Sequence, residues 1–238
     1  RQTSRPRTLA DDMAPQLETD LHRPAFGNRD LTQWLAQDLH MYADLGPSPK
    51  KHTWGAVLLS KFPIINSTHH LLPSPHGELA PAIHAVLDIW GVPTHVVVSH
   101  NGQFEDKLAR ELQTKAIARL LSDAYPHPAI FLGYVVTKPH APRPEPYDIL
   151  FSDGLIFDVD PDDKDRWCQY LGFRGLERVG YARVSRYTVT DTELQTFKLA
   201  VPDRLEPNRD VRPFRVSGRH FKPAAWTCAR SLDRPGLR

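Results

Sequence analysis

The chain has 238 residues, with 30 basic and 28 acidic side chains and a formal charge of +2. A hydrophobic share of 40% supplies enough apolar surface for a core, which argues against disorder of the whole chain. The near-neutral balance is atypical of a nucleic-acid binder, because such proteins carry a basic stripe. No apolar run approaches the roughly 20 residues that a membrane helix needs. The two cysteines, Cys168 and Cys228, are too few for a zinc finger or a disulfide framework.

The first third of the chain predicts one helix and one buried strand. Residues 1–12 are polar, basic and non-periodic, so we predict that they are disordered. Leucine and tryptophan residues between positions 31 and 39 recur at helical spacing, and Asn28 or Asp30 precedes them as a cap. Residues 54–60 are predicted to form a buried strand. Residues 67–81 contain three prolines and three histidines, which is typical of a loop.

The middle of the chain predicts a hairpin followed by a helix. Two apolar runs at 82–89 and 94–99 are separated by a short connection with glycine and proline, which predicts two antiparallel strands. Apolar residues between 105 and 121 repeat at the period of an amphipathic helix.

Further strands are predicted at 129–136, 178–185 and 194–201, with a short helix at 165–171. Residues 203–238 form a tail rich in proline and arginine. Hairpins beside a strand–helix–strand unit favour an α/β or α+β sandwich, with residues 13–202 as one domain.

Candidate functional residues lie at the predicted strand ends. His100 follows the apolar residues 96–98 and Ser99 and precedes the turn signal Asn101-Gly102. An imidazole held at such a place suits proton transfer near neutral pH, although a histidine that only stabilises a turn fits the same pattern. Glu18 and Asp191 also lie near strand ends, where carboxylates can converge on Mg²⁺, and each is alternatively an ordinary loop or cap residue.

Two other motifs have plain structural alternatives. The acidic run from Asp158 to Asp165 lacks the central glycine and the distal glutamate of a calcium loop, so no calcium site is predicted. Its last member precedes the predicted helix at 165–171, where capping is the default role. The triplet Asn66-Ser67-Thr68 has the pattern of an N-glycosylation acceptor and equally suits a structural loop.

The order of these motifs resembles the endonuclease/exonuclease/phosphatase superfamily. The resemblance lies in the early Glu18, in Ser99-His100-Asn101 and in Thr190-Asp191-Thr192. The sequence departs from the superfamily at three places. Tyr134 and Gly180 stand where it usually has aspartate, and Thr192 stands where it has a catalytic histidine.

A closer resemblance explains these departures. The chain resembles the C-terminal domain of fungal calcofluor-white-hypersensitivity proteins, which remodel the lipid of glycosylphosphatidylinositol (GPI) anchors. The matching stretches extend from about Glu18 to about Val201 and include residues 46–55, 66–75, 77–84, 165–168 and 180–186.

This resemblance implies a DNase I-like four-layer sandwich of two β-sheets flanked by helices, with the first strand of the fold missing. It also implies replacement of the diacylglycerol of a GPI anchor by ceramide, through phosphodiesterase- or transferase-like chemistry at the inositol phosphate. The expected location is the lumenal face of the endoplasmic reticulum membrane. The expected partners are the GPI lipid, ceramide and the membrane-embedded portion of the same family, without nucleic acid.

The resemblance also suggests a role for each candidate residue. His100 would be the general acid or base, Glu18 and Asp191 would hold Mg²⁺ or orient His100, and Asp165 is a further catalytic candidate. Arg183 and Arg186 would pair with the substrate phosphate, since a guanidinium suits bidentate recognition, or they are solvated strand residues. The alternatives are a catalytically degenerate module that binds the lipid head group and, less favoured, a metal-dependent nuclease.

Overall fold

The computed structural model describes residues 7–9, 13–20, 31–49, 54–102, 104–139, 145–184 and 194–202, with the backbone alone for 7–9, 13–20 and 184. The strands in chain order are β1 (Arg7–Leu9), β2 (Met13–Asp20), β3 (Tyr42–Leu45), β4 (Trp54–Ser60), β5 (Ile64–Leu72), β6 (Ala80–Ile89), β7 (Val92–His100), β8 (Ala129–Tyr134), β9 (Phe157–Asp158), β10 (Gln169–Arg174), β11 (Glu177–Val184) and β12 (Leu194–Val201). The helices are α1 (Leu31–Leu39), α2 (Lys107–Asp123) and the short α3 (Pro146–Asp148), which continues into a π-helical turn at Ile149–Asp153.

The strands form one large sheet and two small ones. The six-stranded sheet has the order β5-β6-β7-β8-β10-β9, and the three-stranded sheets have the orders β2-β4-β3 and β1-β12-β11. Only the β7–β8 pair of the large sheet is parallel, because α2 returns the chain to the same end before β8 begins. This single crossover brings the carboxyl ends of β7 and β8 to the same edge of the sheet.

Apolar residues on both faces of the large sheet account for the layers. One face packs Ile83, Val98 and Leu171 against residues of β4 and β12, including Leu58 and Leu199. The opposite face packs residues such as Val97 and Phe131 against α2 and the turn after α3. On the far side of β4, Val57 and Leu59 pack against Ala36 of α1. The result is the predicted sandwich of β-sheets flanked by helices, and the predicted fold class is confirmed.

The predicted hairpin is confirmed as β6 and β7. Its turn consists of Trp90, with φ of 54°, and Gly91, with φ of 87°. Two successive positive φ angles are typical of the two-residue turn that matches the twist of a hairpin. The Gly91 amide donates to Asp88 Oδ1 over 2.7 Å. The predicted strands at β4, β8, β11 and β12 and the helix α2 are also present.

Several predictions from the sequence are wrong. The loop predicted from residue 67 is instead the second half of β5. The helix predicted at 165–171 is a turn followed by β10, because Tyr170 and Leu171 face opposite cores of the sandwich. Within the segment predicted to be disordered, β1 pairs with β12. The helix α1 is confirmed, but it buries Thr32 and Ala36, whereas Leu31, Trp34 and Leu39 are exposed. The tail predicted at 203–238 lies outside the described residues.

Three histidines lie together on the face of the large sheet that also packs against α2. His84 Nε2 lies 2.9 Å from His95 Nδ1, and the His95 ring lies 5.7 Å from that of His127. Burial, together with the charges of His84, His127 and Arg174, lowers the pKa of His95 from its ordinary value of 6.5 to about 4. Burial and, to a lesser degree, His70 lower the pKa of His84.

We predict that these imidazoles reduce stability in acid. Because the pKa of His95 is lower in the folded state than in the unfolded state, the unfolded chain binds more protons between pH 6.5 and about 4. The free energy of unfolding therefore falls as the pH is lowered through this range. His95→Gln should make the fall less steep in urea titrations, whereas His76→Gln, which alters an exposed histidine, should leave it unchanged. Equal slopes for both variants and the parent chain would contradict this role.

Candidate active site at the His100 end

Strand register brings the candidate residue His100 into a row of polar side chains. His100 is the last residue of β7 and pairs with Tyr134, the last residue of β8. Tyr134 pairs in turn with Gln169, the first residue of β10. We call this edge of the sandwich the His100 end. It is lined by strands whose loops leave in the same direction, which is where a rigid scaffold presents functional groups.

Two aromatic rings hold the His100 imidazole. The indole of Trp54, on β4, meets it edge-on with ring centroids 5.4 Å apart, and the phenol ring of Tyr134 lies 4.8 Å away. His100 keeps only 8% of its surface exposed. The contacts come from both layers of sheet, so the orientation of the imidazole depends on the packing of the sandwich itself.

Hydrogen bonds continue the row beyond Tyr134. Gln169 Nε2 donates to the Tyr134 hydroxyl over 3.0 Å, and Gln195 Nε2, on β12, donates to the Gln169 carbonyl over 3.0 Å. The Gln195 Oε1 atom and the hydroxyl of Tyr181 are buried without a hydrogen-bond partner in the structure. Each of these two groups could form a hydrogen bond, but none of the described residues supplies the partner.

The residues beside His100 are fixed by α2. Asn101 Nδ2 donates to Thr114 Oγ1 over 3.1 Å, and the Gly102 amide donates to Gln113 Oε1 over 2.7 Å. A Cβ atom on Gly133 would lie 2.5 Å from the Ser99 carbonyl, so β7 and β8 approach here only because residue 133 is glycine. The backbone around His100 is therefore anchored on both sides.

A buried ion pair lies before β10. Arg166 donates to both carboxylate oxygens of Asp158, over 2.8 and 2.6 Å, and to the carbonyl of Asp160 over 2.6 Å. The Tyr147 hydroxyl donates to the same carboxylate over 2.8 Å. Burial alone would lower the pKa of Arg166, but the hydrogen bonds and charge of Asp158 outweigh it and raise that pKa above its ordinary value. The guanidinium is thus a permanently charged structural centre.

The acidic run forms ion pairs within the domain. Besides the Arg166–Asp158 pair, Arg178 lies 3.6 Å from an Asp160 carboxylate oxygen. Among the described residues no three or more histidine, cysteine, aspartate or glutamate side chains are arranged to hold a metal ion.

Two of the predicted site residues are placed in this neighbourhood. Asp165 is exposed, and its amide donates to Asp163 Oδ1 over 3.3 Å in a turn, so it caps no helix. Arg183 Nε lies 2.9 Å from Asp163 Oδ2, so a substrate phosphate would compete with this carboxylate. The catalytic role of Asp165 and the phosphate role of Arg183 stay predictions.

The side chains of the remaining predicted residues are not among those that the structure describes. Glu18 belongs to β2, within the register shift between Gln16 and Thr19, and β2 ends opposite Trp54. Asp191 and Arg186 lie outside the described residues, in the segment that joins β11 to β12. Their proposed roles, and that of the Glu18 side chain, stay predictions.

Sequence reasoning missed Trp54, which contacts His100, and Gln169, which donates to the Tyr134 hydroxyl. Trp54 and Gln169 carried no signal, because their importance arises from pairing between distant strands. Arg166 lies in the Asp165-Arg166-Trp167-Cys168 stretch, but its role depends on the ion pair with Asp158, which the sequence does not reveal.

A family model and a curated relative place the chain in the same family. The family model described as "PGAP2IP, C-terminal nuclease-like domain" matches residues 4–221. The chain is 54% identical to Protein cwh43 of Schizosaccharomyces pombe over 220 residues, which are 92% of this chain and 22% of that protein. The chain therefore spans less than a quarter of this curated relative.

Solved structures share the fold at low sequence identity. An endonuclease/exonuclease/phosphatase from Beutenbergia cavernae has a TM-score of 0.63 at 15% identity, covering 80% of this chain and 62% of its own. The human Nocturnin catalytic domain has a TM-score of 0.59 at 15% identity, covering 79% of this chain and 80% of its own. Within the described ranges, no helix is long and apolar enough to cross a membrane.

We predict that Arg166 is essential for stability. Arg166→Met would leave the Asp158 carboxylate buried without its partner, which costs about 3–5 kcal/mol of unfolding free energy. Lys115→Met is the matched control, because Lys115 pairs with Glu111 on the exposed surface of α2 and such a pair contributes only about 0.3–0.5 kcal/mol. Urea denaturation of both variants measures the difference, and similar losses would contradict the prediction.

Proposed function

Since this chain belongs to the family of PGAP2IP C-terminal nuclease-like domains, we propose that it acts on the phosphodiester of a GPI lipid and exchanges diacylglycerol for ceramide. The observation that carries the proposal is the fixed imidazole of His100 at the end of the sandwich where the strand loops meet. The chemistry is transferase-like, because one lipid alcohol replaces another on the same phosphorus.

His100 is the proton-transfer group in this proposal. The primary hydroxyl of ceramide attacks the phosphorus and loses its proton to the imidazole, which returns a proton to the departing glycerol oxygen. Both transfers require an imidazole in one orientation, and the rings of Trp54 and Tyr134 provide that constraint. The Tyr134 ring is itself fixed by the hydrogen bond from Gln169.

Exposed apolar side chains at the His100 end support a lipid substrate. They lie at strand ends, in adjoining loops and in the first turn of α2. These residues are Leu71, Leu79, Phe104, Leu108, Trp167 and Leu194. Apolar and aromatic residues around a polar site suit a substrate that has both acyl chains and a head group.

Mg²⁺ belongs to the proposal as a charge-neutralising partner of the phosphate. The described residues do not form a carboxylate cluster, and Tyr134 stands where the superfamily usually has an aspartate. A magnesium site would therefore depend on Glu18 and Asp191. The proton transfers of His100 are derived without the ion.

The second candidate is a module that binds the lipid head group without chemistry. Packing of the Tyr134 ring on His100 favours it, because the ring occupies one side of the imidazole. In either case we propose the lumenal face of the endoplasmic reticulum as the location. The partners are then GPI lipid, ceramide and the membrane-embedded portion of the family, with no nucleic acid.

We predict that His100 is required for lipid exchange. In fission yeast lacking the native gene, a chimera with this chain in place of the matching domain of Protein cwh43 should incorporate ceramide into GPI lipids. His100→Ala should slow incorporation by roughly 100-fold or more, since general acid–base catalysis contributes that much. Mass spectrometry of GPI lipids after isotopic labelling measures the rate, and Asp191→Asn tests the predicted carboxylate in the same way.

The control is His127→Ala, which alters an exposed histidine at the opposite end of the sandwich. Immunoblots establish equal amounts of each protein. Normal ceramide content with both His100→Ala and Asp191→Asn would refute catalysis and leave the head-group module. Cleavage of plasmid DNA by the purified domain would instead support the nuclease alternative.

We also predict that the apolar residues of the His100 end contact lipid. Phe104→Ser with Leu108→Ser should weaken binding to vesicles that contain phosphatidylinositol by roughly tenfold or more, because two exposed apolar side chains that would enter the bilayer are lost. Ile65→Ser with Val179→Ser removes two exposed apolar residues near the opposite end and should have no effect. Co-sedimentation with vesicles measures both, and equal binding by the two double variants would contradict the prediction.

A further inference from the structure

We propose that Asn66 carries an N-linked glycan on the outer strand of the large sheet. The acceptor pattern is Asn66-Ser67-Thr68, within β5. The inference rests on the lumenal location contained in the proposed function, because oligosaccharide transfer occurs in that compartment. What the structure adds is evidence that the folded domain has room for a glycan at this asparagine.

The position of β5 leaves one of its edges open. β5 is the first strand in the order of the six-stranded sheet, and among the described strands it pairs with β6 alone. Asn66 is exposed and lies opposite Val86. A glycan on this side chain therefore meets no neighbouring strand of the sheet.

Alternation along β5 turns Asn66 and Thr68 away from β3. Ser67 Oγ donates to Asp44 Oδ2, and His69 Nε2 lies 2.7 Å from Asp44 Oδ1, so both side chains point toward β3. Neighbouring residues of a strand face opposite ways. Asn66 and Thr68 accordingly share the other face, where both are exposed.

The glycan would also lie away from the candidate active site. Asn66 is aligned with Val86, which is aligned with His95, five positions before His100 in β7. At about 3.4 Å per residue, the two rows are roughly 17 Å apart along the strands. A glycan at Asn66 thus leaves the His100 end open to lipid.

The modification joins the Asn66 amide nitrogen to C1 of N-acetylglucosamine. The donor is a lipid-linked pyrophosphate oligosaccharide. The C1–nitrogen bond forms as the C1–oxygen bond to pyrophosphate breaks, and the amide gives up one proton. The hydroxyl of Thr68 supplies the residue type that the acceptor pattern requires two positions after asparagine.

The expected consequence is protection of the sheet edge. An exposed, unpaired strand edge can pair with another chain, and proteins cover such edges in various ways. Ile65, which is 58% exposed, lies beside Asn66 on this edge. A hydrated glycan here would hinder edge-to-edge association of the folded domain.

The test is expression of the chimera with fission-yeast Cwh43, followed by digestion with an amidase that removes N-linked glycans. The parent should show a mobility shift and a tryptic peptide converted from Asn66 to aspartate. Asn66→Gln and Thr68→Ala should each abolish this glycan. Ser67→Ala should retain it, because the middle residue of the pattern is not specified.

A second acceptor, introduced by mutation, tests the Asn66 proposal separately from the lumenal location. Asp162→Asn with Lys164→Thr creates the same pattern in an exposed turn. Glycosylation at both positions supports the proposal. Modification of the new position alone overturns the Asn66 proposal and leaves the lumenal location standing. Modification of neither position overturns both the Asn66 proposal and the lumenal location.

Discussion

The parallel register of β7 and β8 is the constraint on which the candidate site depends. It aligns His100 with Tyr134, and it is held by two cores at once, because Val97 faces α2 while Val98 faces the small sheets. A shift by one residue would move each of these buried valines into the opposite core, where the surrounding side chains are packed for a different residue. Placement of the imidazole is therefore a consequence of apolar packing, and the geometry of the candidate site and the stability of the fold depend on the same residues.

Arg166 extends this constraint to β10. It ties the carboxylate of Asp158 and the carbonyl of Asp160 to the residues that immediately precede Gln169. An arginine with no exposed side-chain surface is tolerated only because these acceptors replace its lost hydration. The pair thus fixes where β10 begins, and so fixes the amide of Gln169 that holds the Tyr134 hydroxyl.

Periodicity predicted the hairpin, α2 and most core strands, because each of them buries a regular apolar face. It failed for β5, whose polar side chains gain their partners from Asp44 on another sheet. It failed again at residues 165–171, where the spacing of apolar residues suits a helix but the two cores lie on opposite faces of a strand. His100 was identifiable from its position after an apolar run. Its ring partners Trp54 and Tyr134 come from strands far apart in sequence, which spacing along one strand does not reveal.

The neutral side chain of Tyr134 bears on the ligand that we propose for the His100 end. A neutral phenol packed on the imidazole adds no negative charge with which this end of the sandwich could hold a cation. Nucleic acids gain most of their affinity from many phosphate contacts, which a chain with a net charge of +2 does not favour. A lipid phosphodiester presents few charges together with acyl chains, so apolar residues supply its binding energy instead. Phe104 and Leu108 are exposed while His100 is buried, and this combination agrees with the lipid substrate that we propose.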